Sequence, residues 1–208
     1  MANAREILSR MKSVQDTRKI TNAMYLISST KLKKSKKLLE ETEPYFYSLQ
    51  DLIRRILRHM PDVEHFYFNP RKEIKEEDRI KGLIVITGDK GLAGAYNHNV
   101  LKMAQEWMEQ SKNHRLYVVG ELGRHYFEAR HIQVEEQFHY TVQNPTMHRA
   151  RLISSTILED YEEGRLDEVW IIYTQMINSM QMEAEMTALL PLKREDFSNI
   201  VIPANIIQ

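Results

Sequence analysis

Gly88, Gly91 and Gly94 punctuate the turn that runs from Thr87 through Asp89, Lys90, Leu92 and Ala93 to Asn97. The turn follows the apolar run Leu83-Ile84-Val85-Ile86 and precedes a helix-like stretch. Glycines at the carboxyl end of a strand let backbone N–H groups approach an anion, and the next helix adds its positive end. Walker-type phosphate binding needs Gly-Lys followed by Ser or Thr, and that is missing. The dinucleotide spacing G-x-G-x-x-G is missing too, because the spacing here is G-x-x-G-x-x-G. Three readings stand: a structural turn opening a helix, a protein-contact loop, or a stand-alone α/β nucleotide-binding enzyme using Gly88–Gly94.

Other chemistry is sparse. His125 and His131 do not share a helical face at the i,i+4 spacing, and His139 and His148 fall in or near loops. No H-x-x-x-H and no acidic cluster with metal-ligand spacing is found, so no metal or cofactor site is expected. Asp160, Glu162 and Glu163 precede Gly164 near a helix end and read as solvated charges. There is no G-x-S-x-G and no cysteine nucleophile. The absence of cysteine also excludes a disulfide framework and fits a reducing compartment. No secretory leader is expected, because charge begins at Arg5 and no apolar segment follows.

The elements that position these residues begin with the N-terminal stretch. Residues 3–43 contain neither Gly nor Pro, which predicts one helix of roughly 60 Å. Ile7, Met11, Val14, Ile20, Met24 and Ile27 form a coiled-coil-like stripe, interrupted by Thr17, Thr21, Ser28 and Lys31. The stripe fits a helix packed on its own domain, or one strand of an antiparallel coiled coil, which the length favours. Net charge is zero, but residues 1–37 carry ten Lys/Arg against Glu6 and Asp16. That arm would meet an acidic or polar partner. Nucleic acid and anionic lipid fit poorly, because no aromatics or apolar membrane face accompany Lys31–Lys37. Pro44 is expected to break or kink the helix. Leu49, Leu52, Ile53, Ile56, Leu57 and Met60 then form a second stripe expected to dock on the globular domain. Residues 61–81 read as a polar loop.

From Lys81 the hydrophobic period changes. Strands are expected at Leu83–Thr87, Leu116–Val119, Gln133–Phe138 and Val169–Tyr173, with Met180–Leu190 extended. Helices are expected at Asn97–Gln110, Glu121–Arg130 and Thr146–Glu163. The alternation predicts an α/β fold, a Rossmann-like parallel three-layer sheet. The division is 1–60 for the helical arm, 61–81 for a linker and 82–208 for the globular domain.

Lys19-Ile20-Thr21-Asn22-Ala23-Met24 with Lys31-Leu32, and Thr87–Asn97 with Asp89, Gly91, Leu92, Gly94 and Asn97, resemble the γ subunit of F-type ATP synthases. Asp167–Tyr173 and Leu189-Leu190-Pro191-Leu192 extend the likeness more weakly. The resemblance implies a non-catalytic rotor stalk in which the long helix is half of an antiparallel coiled coil. It implies α, β and ε subunits and the membrane c-ring as partners, with the membrane reached only indirectly. It places the chain at the cytoplasmic face of a bacterial membrane. Lys19, Thr21, Met24, Lys31, Leu32, Asp89, Lys90, Gly91, Leu92 and Asn97 become candidate subunit contacts. The sequence departs at Tyr25–Thr30, where the family usually has small apolar residues. No counterpart of the family's long C-terminal helix precedes Gln208, so self-association through the uncovered stripe is expected.

Overall fold

A computed structural model of the chain describes residues 2–62, 64–178 and 180–198. The described residues fall into two compact units, one built around the N-terminal helix and one spanning 62–194.

The first unit is dominated by α1, Ala2–His59, a helix of 58 residues with Pro44 inside it. At about 1.5 Å per residue it extends roughly 87 Å. Of the break or kink expected at Pro44, the break is not formed, and the stripe from Leu49 to Leu57 lies on the same helix. Proline removes one N–H and crowds the preceding turn. Here Pro44 faces solvent, where water can satisfy the carbonyl it leaves unbonded. Hydroxyls support the turns on either side: Thr42 donates to Leu38 O at 2.7 Å and Ser48 to Pro44 O at 2.7 Å.

The same device accommodates Thr17 and Thr21 in the apolar stripe, and Thr30 beyond it. Thr17 donates to Ser13 O, Thr21 to Thr17 O and Thr30 to Leu26 O, each at 2.9 Å. A hydroxyl satisfied by its own helix leaves the threonine methyl group to face outward. Ile7, Met11, Val14, Ile20, Met24 and Ile27 are all exposed on this rod.

The second unit holds a four-stranded sheet in the order β2-β1-β3-β4. The strands are β1 Lys81–Ile86, β2 His114–Val119, β3 Glu168–Met176 and β4 Met182–Leu190. β1 pairs in parallel with β2 and with β3, whereas β3 and β4 are antiparallel. The wholly parallel expectation is thus corrected at one edge. A parallel connection needs a crossover of a dozen or more residues. Only residues 177–181 join β3 to β4, and Ile177 N–H closes that hairpin on Gln181 O at 3.0 Å.

The remaining helices are α2 Tyr96–Gln110, α3 Glu121–Glu128, α4 Met147–Glu162 and α5 Arg194–Ser198. Strand side chains alternate between two cores, as the pleat requires. Leu83, Val85, Leu116, Val118 and Ile172 pack with Val100, Leu101, Ala104 and Phe127 of α2 and α3. Ile84, Tyr117, Val119 and Val169 pack with Ile157 and Tyr161 of α4 on the other face. The three-layer α/β architecture follows from that division.

The expected strand at Gln133–Phe138 is not formed. That segment is irregular, with a single turn at Glu136–Gln137, and its apolar residues, Val134 and Phe138, enter the two cores separately. It still covers the outer edge of β2, because Glu135 N–H reaches Leu116 O at 2.9 Å. One isolated bridge, Val119 to Tyr140, continues the cover. A blunted edge of this kind resists strand addition by another chain.

Candidate functional site

The glycine turn leaves the carboxyl end of β1 and sits beside the end of β2. Its base is locked by side chains that the chain itself supplies. Thr87 is fully buried, and its N–H bonds Val119 O at 2.9 Å. Thr87 Oγ1 donates to Val119 O at 3.2 Å and accepts the Gly123 N–H at 3.0 Å. Asn97 Oδ1 accepts the Gly88 N–H at 2.7 Å. Gly88 O accepts the Leu122 N–H at 3.1 Å.

Two glycines outside the turn make this closeness possible. Gly120 lies at φ 101°, and a Cβ there would stand 2.3 Å from Thr87 O. A Cβ on Gly123 would meet Thr87 Oγ1 at 2.6 Å. Neither position tolerates a side chain without moving backbone or the threonine. Sequence inspection singled out the three glycines of the turn and passed over these two, which make the turn's seat.

Asp89 closes the base. Its Oδ1 accepts N–H bonds from Glu121 and Val142 at 3.2 Å each, and its Oδ2 accepts from Val142 at 3.2 Å. The anion-seeking backbone at the start of α3 is therefore served by the chain's own carboxylate. Asn97 is buried and likewise spent on the turn. Of the candidates here, only Lys90, Gly91 and Leu92 form an exposed tip. Leu92 is 95% exposed and holds a left-handed φ of 62°. Leu92 thus displays an apolar side chain to solvent at the tip of a braced turn.

The other candidates, Lys19, Thr21, Met24, Lys31 and Leu32, are all exposed on α1. Lys19 pairs with Asp16 at 3.6 Å across one helical turn. Such exposed pairs contribute little to stability. The turn and these α1 residues lie in different units of the chain.

Sequence reasoning missed the buried charges. Asp160, read as a solvated charge, is 7% exposed. It accepts from the Tyr117 hydroxyl and from Arg165 Nε, the latter at 2.6 Å. Burial and the Asp160 carboxylate push the Tyr117 phenol well above its ordinary range. Arg71, in the polar segment before β1, donates to Asp167 Oδ1 at 2.8 Å, Leu166 O at 2.7 Å and Tyr161 O at 2.7 Å. Its guanidinium also lies 4.3 Å above the Tyr161 ring. Arg79 joins Glu168 at 3.0 Å. Segment 64–81 is thereby tied to the start of β3. The only hint in the sequence was the alternation of Arg and Asp/Glu, which surface loops also show.

Among the described residues no group of three or more His, Asp or Glu converges as a metal site. None of the described helices is long and apolar enough to cross a membrane. A three-layer α/β unit with a self-braced turn, joined to a long helix whose apolar stripe is exposed, defines the class: an α/β domain with a helical arm.

The profile of the family described as ATP synthase matches residues 3–205. The ATP synthase gamma chain of Acetivibrio thermocellus is 45% identical over 193 residues, covering 93% of this chain and 65% of that protein. The ATP synthase gamma chain of Ruminiclostridium cellulolyticum is 45% identical over 199 residues, covering 93% and 67%. The central stalk and c-ring structure of the Tetrahymena thermophila mitochondrial ATP synthase overlays with a TM-score of 0.47 at 19% identity, covering 77% of this chain and 72% of its own. The chain belongs to the ATP synthase γ family, and it spans about two thirds of the length of the curated relatives it matches.

Proposed function

We propose that this chain serves as a central-stalk subunit of an F-type ATP synthase. In that role it is non-catalytic and couples ion translocation through a membrane ring to ATP synthesis or hydrolysis on other subunits. The observation that carries the reading is the identity with ATP synthase gamma chains along nearly the whole sequence. The stiff rod and the braced tip support it.

The mechanism is mechanical. An asymmetric rod presents a different face to each surrounding catalytic subunit, and differential contact stabilises a different conformation in each. The helical arm of residues 1–60 supplies one strand of an antiparallel coiled coil, and residues 61–81 connect it to the globular domain of 82–208. Lys19, Thr21, Met24, Lys31 and Leu32 on α1 contact α and β subunits. The basic face around Lys31–Lys37 meets acidic segments there. Lys90, Gly91 and Leu92 form a second contact, while Asp89 and Asn97 hold its shape. The globular domain reaches the ε subunit and the c-ring at the cytoplasmic face of a bacterial membrane. Where the α1 stripe is left uncovered, the chain self-associates.

The absence of cysteine makes the test clean. A Leu92→Cys variant carries one thiol, which can bear a short photo-crosslinker. Reconstitution with the α and β subunits of a bacterial F-type ATP synthase should give an adduct with a catalytic subunit. A Lys112→Cys control should not. Failure of the chain to co-sediment with those subunits would refute the reading.

A further inference from the structure

We propose that Asp89 is a positioning residue: its carboxylate latches three backbone segments together and so sets the orientation of the Lys90–Ala93 tip. The inference rests on the reading of that tip as a subunit contact and goes beyond it, since it separates what touches the partner from what aims it.

The three segments are the glycine turn, the start of α3 at Glu121 and the strap around Tyr140–Val142. The strap is held at one end by Gly120 N–H on Tyr140 O at 2.8 Å. Arg149 of α4 holds Thr141 Oγ1 at 3.2 Å and also bonds Gln143 O, and Val142 N–H is shared between both oxygens of Asp89 at 3.2 Å. Asp89 Oδ1 also receives Glu121 N–H at 3.2 Å. His139 of the strap pairs with Glu121 at 2.7 Å, so the strap and the start of α3 are already tied to each other. Asp89 is the side chain that ties the turn to both.

Beyond Asp89 the turn has little of its own to hold it. Residues 90–95 are exposed, Leu92 and Gly94 both have left-handed φ values, and a Cβ at Gly94 would meet nothing within 4 Å. Tyr96 N–H reaches Ala93 O at 3.2 Å, a contact inside the turn that gives it no external reference. Hydrogen bonds to a charged acceptor are stronger than neutral ones, so one carboxylate can determine the tip's orientation. The conclusion is specific to Asp89. Thr87 and Asn97 brace the strand end and the helix start, which would stay in place without it.

The test has two arms. In the isolated chain, hydrogen exchange is read at the Glu121 and Val142 amides, the two that Asp89 accepts, and, as an internal reference, across β1 and α2. Asp89→Ala should speed exchange at the Glu121 and Val142 amides by about tenfold or more and leave the reference amides unchanged. Asp89→Asn keeps an Oδ1 acceptor but loses the charge and sets an NH2 against Val142 N–H, so it should fall between. It also serves if Asp89→Ala fails to fold. In the assembled ATP synthase, ATP-driven pumping of the coupling ion per ATP hydrolysed is compared for Asp89→Asn, Leu92→Ala and the unaltered chain. Both variants should pump less per ATP, with exchange at Glu121 and Val142 raised only by Asp89→Asn. Unchanged exchange at Glu121 and Val142 in both Asp89 variants would overturn the latch. Faster exchange with normal pumping in Asp89→Asn, while Leu92→Ala pumps poorly, would overturn positioning and leave the contact reading standing. Normal pumping in both variants would overturn both.

Discussion

Replacing Arg71 by alanine removes the cation from a nearly sealed network. Asp167 is 6% exposed and Arg71 15%. After the change, Asp167 keeps the Ile80 N–H at 2.8 Å but loses its charge partner. The carbonyls of Leu166 and Tyr161 lose their guanidinium donors, and the Tyr161 ring loses the group stacked on it. Stranding one member of a buried ion pair costs about 3–5 kcal/mol. Alanine does not relieve the left-handed backbone at Arg71, so no gain offsets the loss. We therefore expect Arg71→Ala to destabilise the unit spanning 62–194 by about 3–5 kcal/mol. Urea unfolding followed by tryptophan fluorescence is the assay, because both tryptophans, Trp107 and Trp170, lie in that unit. Asp167→Ala alone should cost a similar amount. The double variant should cost clearly less than the sum, with a coupling of about 1–3 kcal/mol. A loss below about 1 kcal/mol for Arg71→Ala, or strict additivity, would show that water replaces the guanidinium freely and would refute the argument.

Three further outcomes are expected. Gly120→Ala puts a methyl group 2.3 Å from Thr87 O at φ 101°, and should lower stability by at least about 2 kcal/mol in a thermal melt; an unchanged melt would show that the seat of the turn is loose. Tyr67 donates to Glu162 at 2.7 Å, and burial together with that carboxylate pushes its phenol up to about 12. The folded value is raised, so this contribution is full below pH 10 and is lost as pH rises toward 12; Tyr67→Phe should flatten that part of the alkaline stability profile. Finally, covering an exposed side chain such as Ile7, Met11, Val14, Met24 or Ile27 is worth about 1.5–3 kcal/mol. Sedimentation should show concentration-dependent association of the chain, abolished by Ile7→Lys, Met11→Lys and Val14→Lys together; a monomer at all concentrations would contradict the α1 stripe as a contact surface.

The legible parts of the fold were those governed by local pattern. The long Gly- and Pro-free stretch announced α1. The apolar runs at 83–86 and 116–119 announced two central strands, buried on both faces and therefore continuous in hydrophobicity. The misreadings also have local causes. Pro44 was given the cost it has in a packed helix, whereas it sits on the solvent side. Gln133–Phe138 has the apolar content of a strand but sends its side chains into two different cores. The direction of β4 was readable in principle, since five residues cannot build a crossover.

The sequence by itself determined the family, the helical arm, the basic charge of that arm and the position of the glycine turn. Each depends on residue identity or on spacing along the chain. Tertiary structure alone decided what the polar residues do. Asp89 and Asn97 turn inward to brace the turn, while Lys90 and Leu92 point out from it. Asp160 and Asp167 are interior rather than solvated, because Tyr117, Arg71 and the Ile80 backbone converge on them from distant parts of the chain and Arg165 joins from nearby. A carboxylate costs several kcal/mol to bury alone and little when paired. Its role is therefore set by neighbours that a linear sequence does not place beside it.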